Sequence, residues 1–122
     1  MFKQFSALVF SLLTILSIQA ADVKQVTVQD LAQVIATHDT DYVIIDVRTP
    51  EEFEAQHING AVLIPLQILE SRIAEIVELY SNKDIYLFCR SGNRSMQAAR
   101  ILAPHGLRLF NVQGGIIAWS KL

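Results

Sequence analysis

The fold is predicted most readily from one stretch of the sequence, Asp84-Ile85-Tyr86-Leu87-Phe88-Cys89-Arg90-Ser91-Gly92-Asn93-Arg94-Ser95. Its first five residues form a short, mainly apolar run rich in aromatic and branched side chains, which is typical of a buried strand. Beyond it, apolar side chains recur at helical spacing from Met96 to Ala103, which predicts a helix. Cys89 is the only cysteine of the chain. It is therefore predicted to lie at the C-terminal end of a strand, in a loop that leads into a helix.

This predicted position gives Cys89 the setting of a reactive thiol. A loop entering a helix N-terminus turns several backbone N–H groups toward one concavity, which attracts anions and favours a thiolate. Arg90 and Arg94 add positive charge, and such surroundings lower the pKa of a cysteine. The alternative is an inert, buried cysteine beside a solvated turn. The six residues after Cys89 carry no apolar side chain, which favours the nucleophile.

The first twenty residues differ in character from the rest. A short, weakly basic start with Lys3 is followed by a mainly apolar run from Phe5 to Ile18 and then by Gln19-Ala20-Ala21. This arrangement resembles a secretory signal peptide, and the run is shorter than the roughly 20 apolar residues that span a bilayer. We expect residues 1–20 to be removed, leaving an exported, most simply periplasmic, domain over residues 21–122. Ile18 is larger than a peptidase prefers there, so an uncleaved membrane anchor is the alternative.

Charge and cysteine content limit the partners. The formal net charge is −2, and loss of the signal segment removes one lysine and makes it −3. No basic face or aromatic-basic pattern predicts a nucleic-acid partner, whereas Arg90, Arg94 and Arg100 form a local cluster suited to a small anion. A single cysteine cannot form an internal disulfide. An exported lone thiol favours a functional use over intermolecular pairing or accident.

The remaining pattern alternates strands and helices. The predicted strands cover residues 23–26, 42–48, 62–65, 84–88 and 107–112. The predicted helices cover residues 28–37, 50–56, 66–80, 96–103 and 116–119. This rhythm at 122 residues predicts one α/β domain with a central, mostly parallel, five-stranded sheet flanked by helices. Ligands of such sheets bind beyond the carboxyl ends of the strands. Cys89 and Arg48 both lie at such ends.

Several polar or small residues have simpler structural interpretations. Glu51 and Glu52 follow Thr49-Pro50, so they are interpreted as helix-capping residues rather than catalytic carboxylates. His57 is interpreted as a turn residue, because no second histidine lies at useful spacing. Gly114-Gly115 is expected to allow a tight turn.

Four segments of the sequence follow one another in a characteristic order. They are Ile45-Asp46-Val47-Arg48 with Thr49-Pro50-Glu51-Glu52-Phe53, then His57-Ile58-Asn59-Gly60-Ala61, then Cys89 to Ser95, and then Asn111-Val112-Gln113-Gly114-Gly115-Ile116-Ile117-Ala118-Trp119. In this order they resemble the rhodanese family of single-domain sulfurtransferases, and the resemblance covers about Val26 to Trp119. It implies a rhodanese-like fold and an enzyme that carries sulfur as a persulfide.

The resemblance also implies roles for individual residues. Cys89 would be the nucleophile, and Asp46 and Arg48 would support its loop. The residues implied to bind the substrate are those that follow Cys89, namely Arg90, Ser91, Gly92, Asn93, Arg94 and Ser95. The implied partners are a small anionic donor such as thiosulfate and an acceptor such as cyanide or a thiol. We expect a monomer without cofactor or metal, and no stable membrane association after signal cleavage.

Two other classes of function remain open from the sequence. Cysteine-dependent phosphatases and arsenate reductases also place a cysteine and an arginine around an anion-binding loop, but they resemble Cys-x5-Arg, whereas this chain has Cys89-x4-Arg94. The third possibility is a non-catalytic binding or sulfur-relay module that docks a partner.

Overall fold

The computed structural model of the protein describes residues 23–122, so the expected signal peptide lies outside the described residues. Five strands form one sheet in the order β1-β5-β4-β2-β3, and every neighbouring pair is parallel. The strands are β1 (Val23–Val26), β2 (Tyr42–Asp46), β3 (Val62–Leu63), β4 (Asp84–Phe88) and β5 (Arg108–Val112). The prediction of a five-stranded, mostly parallel α/β sheet is confirmed.

A helix follows each strand. They are α1 (Val28–Thr37), α2 (Pro50–Ala55), α3 (Ile73–Tyr80), α4 (Asn93–Leu102) and α5 (Gly115–Trp119), with 3-10 turns at Leu66–Ile68, Glu70–Arg72 and Ala103–His105. α1 and α2 begin with capping boxes, in which Thr27 and Thr49 pair with Asp30 and Glu52 respectively. These reciprocal bonds satisfy N–H groups that lack partners within the helix.

Both faces of the sheet are covered by apolar clusters. In β4, Ile85 and Leu87 pack into one cluster, and Tyr86 and Phe88 pack into the other. Alternate side chains of a strand point to opposite faces, so a strand buried on both sides needs a continuous apolar run. This is why β4 could be predicted from the sequence. It also fixes the backbone just before Cys89.

The structure corrects the predicted elements in four places. β2 ends at Asp46, two residues before its predicted end. The predicted helix over residues 66–80 is two 3-10 turns followed by α3, because Leu66 and Leu69 are three residues apart and a 3-10 turn satisfies that spacing equally well. β3 ends at Leu63, two residues before Pro65, which has no N–H group to donate. α4 starts at Asn93, three residues before the predicted start, because its polar first turn hides the helical pattern.

Candidate active site

Cys89 directly follows β4 and begins the loop to α4. The residue is 1% exposed. Its Sγ lies 3.1 Å from the backbone nitrogen of Gly92, which donates to it, and 3.3 Å from Oγ of Ser95 in the first turn of α4. Gly92 has a φ of +113°, a backbone conformation that glycine adopts more readily than other residues. The sulfur is therefore enclosed by the loop that follows it.

The carbonyl groups of the loop are held from its other side by the start of α5. Ile116 N donates to the carbonyl oxygen of Cys89 at 2.9 Å, Ile117 N to that of Arg90 at 3.2 Å, and Gly114 N to that of Ser91 at 3.2 Å. In a trans peptide the C=O and the following N–H point in opposite directions. Three fixed carbonyls thus turn the N–H groups of Arg90, Ser91 and Gly92 toward the opposite side of the loop.

These donors determine the electrostatics of the thiol. Burial alone would raise the pKa of Cys89, but hydrogen bonds to the sulfur outweigh burial and leave the pKa lower than usual. The donors include the backbone N–H groups of Ser95, Gly92 and Ser91. The sequence predicted a lowered pKa from the helix N-terminus and the arginines. In the structure hydrogen bonds from the loop and from the first turn of α4 lower it, because hydrogen bonds to the charged form of a group stabilise that form directly.

The guanidinium of Arg94 is already paired with a carboxylate of the protein. Its Nη1 and Nη2 donate to Oε1 and Oε2 of Glu52 at 2.7 and 2.9 Å, a bidentate pair that links α4 to α2. The Arg94 bonds lower the pKa of Glu52 to about 2. The Glu52 bonds in turn raise the pKa of Arg94, and the nearby Cys89 acts in the same direction. Glu52 is therefore more than the capping residue that the sequence indicated.

The other predicted arginines lie in different settings. Arg90 and Asn93 are exposed on the loop and at the first position of α4, and Arg90 forms no ion pair within residues 23–122. Arg100 lies in the last turn of α4, at the end away from the loop. The structure thus does not bring the predicted cluster of three arginines together around Cys89. It leaves Arg90 as the exposed cation beside the thiol.

Asp46 and Arg48 form a buried pair at the end of β2. Their Oδ2 and Nη2 atoms are 2.7 Å apart, and the side chains are 0% and 3% exposed. Arg48 also donates to the carbonyl oxygen of Gln56 at 2.7 Å, just past α2. Because α2 carries Glu52, the pair reaches the Cys89 loop through α2 and the bond from Glu52 to Arg94.

Two glycines that precede and begin α5 pack unusually closely. A Cβ on Gly115 would come within 2.5 Å of the carbonyl oxygen of Arg90 and closer still to that of Cys89. A Cβ on Gly114 would meet Ala118 at 2.6 Å. The sequence favoured a tight turn at this pair over close approach to a ligand. The structure adds a close approach to the Cys89 loop that residues with side chains could not make.

Sequence reasoning missed Glu52, Asn111 and Gln25 as neighbours of the site. Ser95 Oγ donates to Asn111 Oδ1 at 2.5 Å, and Asn111 Nδ2 donates to Gln25 Oε1 at 2.8 Å. No local pattern could reveal contacts between residues 16 and 86 positions apart. His57, in contrast, stacks on Phe53 at a ring-centroid distance of 3.8 Å, as expected of a structural turn residue.

Two properties concern the described residues as a whole. Within residues 23–122, no group of three or more histidine, cysteine or carboxylate side chains is arranged to hold a metal ion. None of the helices in that part of the chain has the length and apolar content needed to cross a membrane.

Comparison with known proteins agrees with the fold. Residues 27–122 match the family described as Rhodanese-like domain. The chain belongs to this family.

Relatives with assigned names include sulfurtransferases. A "Sulfurtransferase" of Allochromatium vinosum is 35% identical over 100 residues, which cover 81% of this chain and 90% of that protein. "Thiosulfate sulfurtransferase PspE" of Escherichia coli is 38% identical over 80 residues, which cover 64% of this chain and 76% of that protein. Other curated relatives are longer, and the match spans from 60% down to 20% of their length.

A solved structure confirms the fold. The rhodanese-related protein of Thermoplasma volcanium superposes with a TM-score of 0.71 at 30% identity, and the match covers 80% of this chain and 91% of that one. The fold is therefore rhodanese-like, and family-level sulfur transfer is the activity that these likenesses support.

Proposed function

We propose that the protein is a sulfurtransferase that carries sulfur as a persulfide on Cys89. One observation supports this proposal above the others. The carbonyls of Cys89, Arg90 and Ser91 are held by the first turn of α5 and by Gly114 just before it. The following N–H groups are thereby directed to the other side, where Gly92 already donates to Sγ. Oriented donors of this kind stabilise negative charge without reorganising during the reaction.

The first half-reaction uses the thiolate of Cys89 and an anionic donor such as thiosulfate. The thiolate attacks the outer sulfur of thiosulfate and forms a new S–S bond. The old S–S bond breaks, and its electron pair leaves with sulfite. The product is the persulfide anion Cys89-S-S⁻, whose charge the N–H groups of Arg90, Ser91 and Gly92 would stabilise.

The second half-reaction returns the enzyme to its starting state. Cyanide or a thiolate attacks the outer sulfur of the persulfide, the S–S bond to Cys89 breaks, and the thiolate of Cys89 leaves with the bonding electrons. The products are thiocyanate or a new persulfide. No net oxidation of the protein occurs, and the kinetics are of the ping-pong type.

The arginines take different parts in this scheme. Arg90 is exposed beside the thiol and forms no ion pair within the described residues, so it is the cation that meets the incoming donor. Arg94 is bound by Glu52 and acts by holding α2 against the start of α4. The other residues of the loop and of the first turn of α4 contribute to binding the sulfur mainly through their backbone and through Ser95 Oγ. These residues are Ser91, Gly92, Asn93 and Ser95.

The phosphatase interpretation is less well supported. A loop of four residues between Cys89 and Arg94 is smaller than the five-residue loop of that class, and it fits one sulfur better than a tetrahedral phosphate. In addition, the guanidinium that would grip phosphate oxygens is occupied by Glu52. A misplacement of about 1 Å at a reacting centre can cost on the order of 10²-fold in rate.

The experiment compares kcat/KM for thiosulfate, with cyanide or a dithiol as acceptor, against an aryl phosphate on one preparation of the domain. Sulfur transfer should exceed phosphate hydrolysis by at least about 10²-fold. Cys89→Ser is the matched control, and it should lose transfer while keeping the fold. Comparable rates on both substrates would favour the phosphatase. Persulfide formation without turnover of small acceptors would favour the sulfur-relay module.

We further propose that the domain of residues 21–122 works after export, as a periplasmic monomer. The support is the sequence of residues 1–20, with its basic start, apolar run and small residues at the expected cleavage point. Donor and acceptor would then be met outside the cytoplasm.

A further inference from the structure

A chain of hydrogen bonds connects the reactive sulfur to the surface. Sγ of Cys89 is 3.3 Å from Ser95 Oγ, which is 2.5 Å from Asn111 Oδ1. Asn111 Nδ2 is 2.8 Å from Gln25 Oε1, and Gln25 Nε2 is 3.1 Å from Met96 Sδ. Ser95 and Asn111 are 0% and 4% exposed, so water has little access to the middle of the chain.

The end of the chain at Met96 fixes the direction of every bond in it. A thioether sulfur has no proton and can only accept, so Gln25 must present its NH2 group to Met96. The oxygen of Gln25 then faces Asn111, which presents its own NH2 group there and its oxygen to Ser95. The reverse orientation would place the Gln25 oxygen against the sulfur of Met96, where neither atom can donate.

The direction of these bonds decides what Ser95 can offer to Cys89. A serine hydroxyl has one proton, and here that proton is donated to Asn111 Oδ1. Only lone pairs of Ser95 Oγ remain on the side of Cys89 Sγ. They can accept the proton of a thiol, but they cannot donate to a thiolate. The hydroxyl of Ser95 thus favours the neutral form of Cys89, while the backbone N–H groups favour the anion.

We propose that Asn111 is a positioning residue, which accepts the hydrogen bond of the Ser95 hydroxyl and thereby limits the ionisation of Cys89. Its value for the reaction rests on the proposed function. The nucleophilicity of a thiolate falls as the pKa of its thiol falls, so a thiol made too acidic by its loop would attack a sulfur donor more slowly. The Asn111 bond limits how far the pKa of Cys89 falls, and so preserves the nucleophilicity of its thiolate.

The charged groups near Cys89 are not part of this chain of hydrogen bonds. They come from the end of β2, from α2, from the loop and from α4. These groups are Asp46, Arg48, Glu52, Arg90 and Arg94. None of them shares a hydrogen bond with Ser95 Oγ or with the side chain of Asn111. Substitutions at Asn111 therefore leave their ion pairs in place.

The test compares two substitutions at one buried position. Asn111→Leu has a similar shape but no acceptor, so Ser95 can turn its proton to the thiolate of Cys89. Alkylation by iodoacetamide, at a pH below the pKa of the thiol, should become about fivefold faster. Asn111→Asp keeps an acceptor and adds a negative charge, so alkylation should become slower. The chain has one cysteine, and the whole signal therefore comes from Cys89.

A matched background isolates the hydroxyl. In a Ser95→Ala protein, Asn111→Leu should leave the pH profile of alkylation unchanged, since no hydroxyl proton remains to be redirected. The unfolding midpoint of each variant checks that it is folded. If Asn111→Leu does not fold, the substitution Gln25→Leu at the exposed end of the chain tests the proposal instead. Without Gln25, the side-chain amide of Asn111 can turn around, and the alkylation profile should shift in the same direction.

Several results would overturn the proposal. The alkylation profile of Asn111→Leu could move to higher pH or stay unchanged, or it could move in the same direction as that of Asn111→Asp. The effect of Asn111→Leu could also persist in the Ser95→Ala background. Where Gln25→Leu is used instead, an unshifted profile would overturn the proposal. Alkylation needs no sulfur donor. A failed transfer assay with the expected alkylation profiles would remove the proposed function and leave the role of Asn111 standing.

Discussion

Gly115 lies so close to Cys89 that a side chain at position 115 would overlap the carbonyl oxygen of the cysteine. The same Cβ would come within 2.5 Å of the next carbonyl oxygen, that of Arg90. These two carbonyls accept hydrogen bonds from Ile116 and Ile117, so the start of α5 and the Cys89 loop are packed backbone against backbone. The geometry of the reactive loop therefore depends on an element that begins 26 residues later in the sequence.

Gly115→Ala tests this dependence. The new methyl group must push the Cys89 loop away, and we expect a loss of sulfur transfer of about 10²-fold or more, because a shift of about 1 Å at the reacting atom is enough. Gly106→Ala is the control. Gly106 also has a positive φ, +71°, but open space around it, so its variant should lose only about 1–2 kcal/mol of stability and keep its activity. Equal activity of the two variants would contradict the loop-positioning role.

Glu52→Gln tests the link between α2 and α4. Glutamine keeps the capping box, while the ion pair with Arg94 is lost, so the free energy of unfolding should fall by about 1 kcal/mol at pH 7. The folded pKa of Glu52 is about 2, below its ordinary 4.5. The ion pair thus stabilises the fold fully above about pH 5, and this contribution fades as the pH falls through 4.5 toward 2.

Urea unfolding of both proteins between pH 2 and pH 7 checks the prediction for Glu52. The difference in unfolding free energy should be largest near neutral pH and should disappear near pH 2. A difference that stays constant over this range would show that the charge of Glu52 is not what stabilises the contact.

Asp46→Asn tests the buried pair beneath α2. The change leaves Arg48 charged and buried without its partner, so the unfolding free energy should fall by about 3 kcal/mol or more. The double variant Asp46→Leu with Arg48→Met removes both charges and should be more stable than Asp46→Asn alone. Urea unfolding at pH 7 measures both. If the double variant is the less stable of the two, the hydrogen bonds from Arg48 to α2 outweigh the charge pairing.

Export predicts a defined N-terminus. Protein recovered from the periplasm should begin near Ala21, because the small residues Ala20 and Ala21 follow the apolar run. Intact mass measurement gives the start directly. A soluble cytoplasmic protein that still begins with Met1 would contradict export, and a membrane-bound one would show that the segment is an anchor.

The features predicted correctly from the sequence are those with local causes. β2 and β4 carry continuous apolar runs because both faces of the sheet are covered, and the capping boxes at Thr27 and Thr49 lie within four residues. The position of Cys89 at the end of β4 follows from the same local pattern. Periodicity alone could not distinguish a 3-10 turn from an α-helix after Pro65, since apolar residues three apart suit both.

The contacts missed by sequence reasoning connect distant segments. Glu52 and Arg94 are 42 positions apart, and Ser95 and Asn111 meet only because β4 and β5 are neighbours in the sheet. Glu52 also had a sufficient local explanation, its capping role. When a residue makes both a local and a long-range contact, the sequence pattern reveals the local one. The long-range contact becomes visible only in the folded structure.

The most direct test of the Cys89 persulfide is the intact mass of the protein after incubation with thiosulfate and removal of the excess. The wild-type protein should gain the mass of one sulfur atom and lose it again when cyanide is added, while Cys89→Ser should gain nothing. Sulfur transfer by the serine variant, or turnover by the wild type without any sulfur-bearing form, would contradict a persulfide on Cys89.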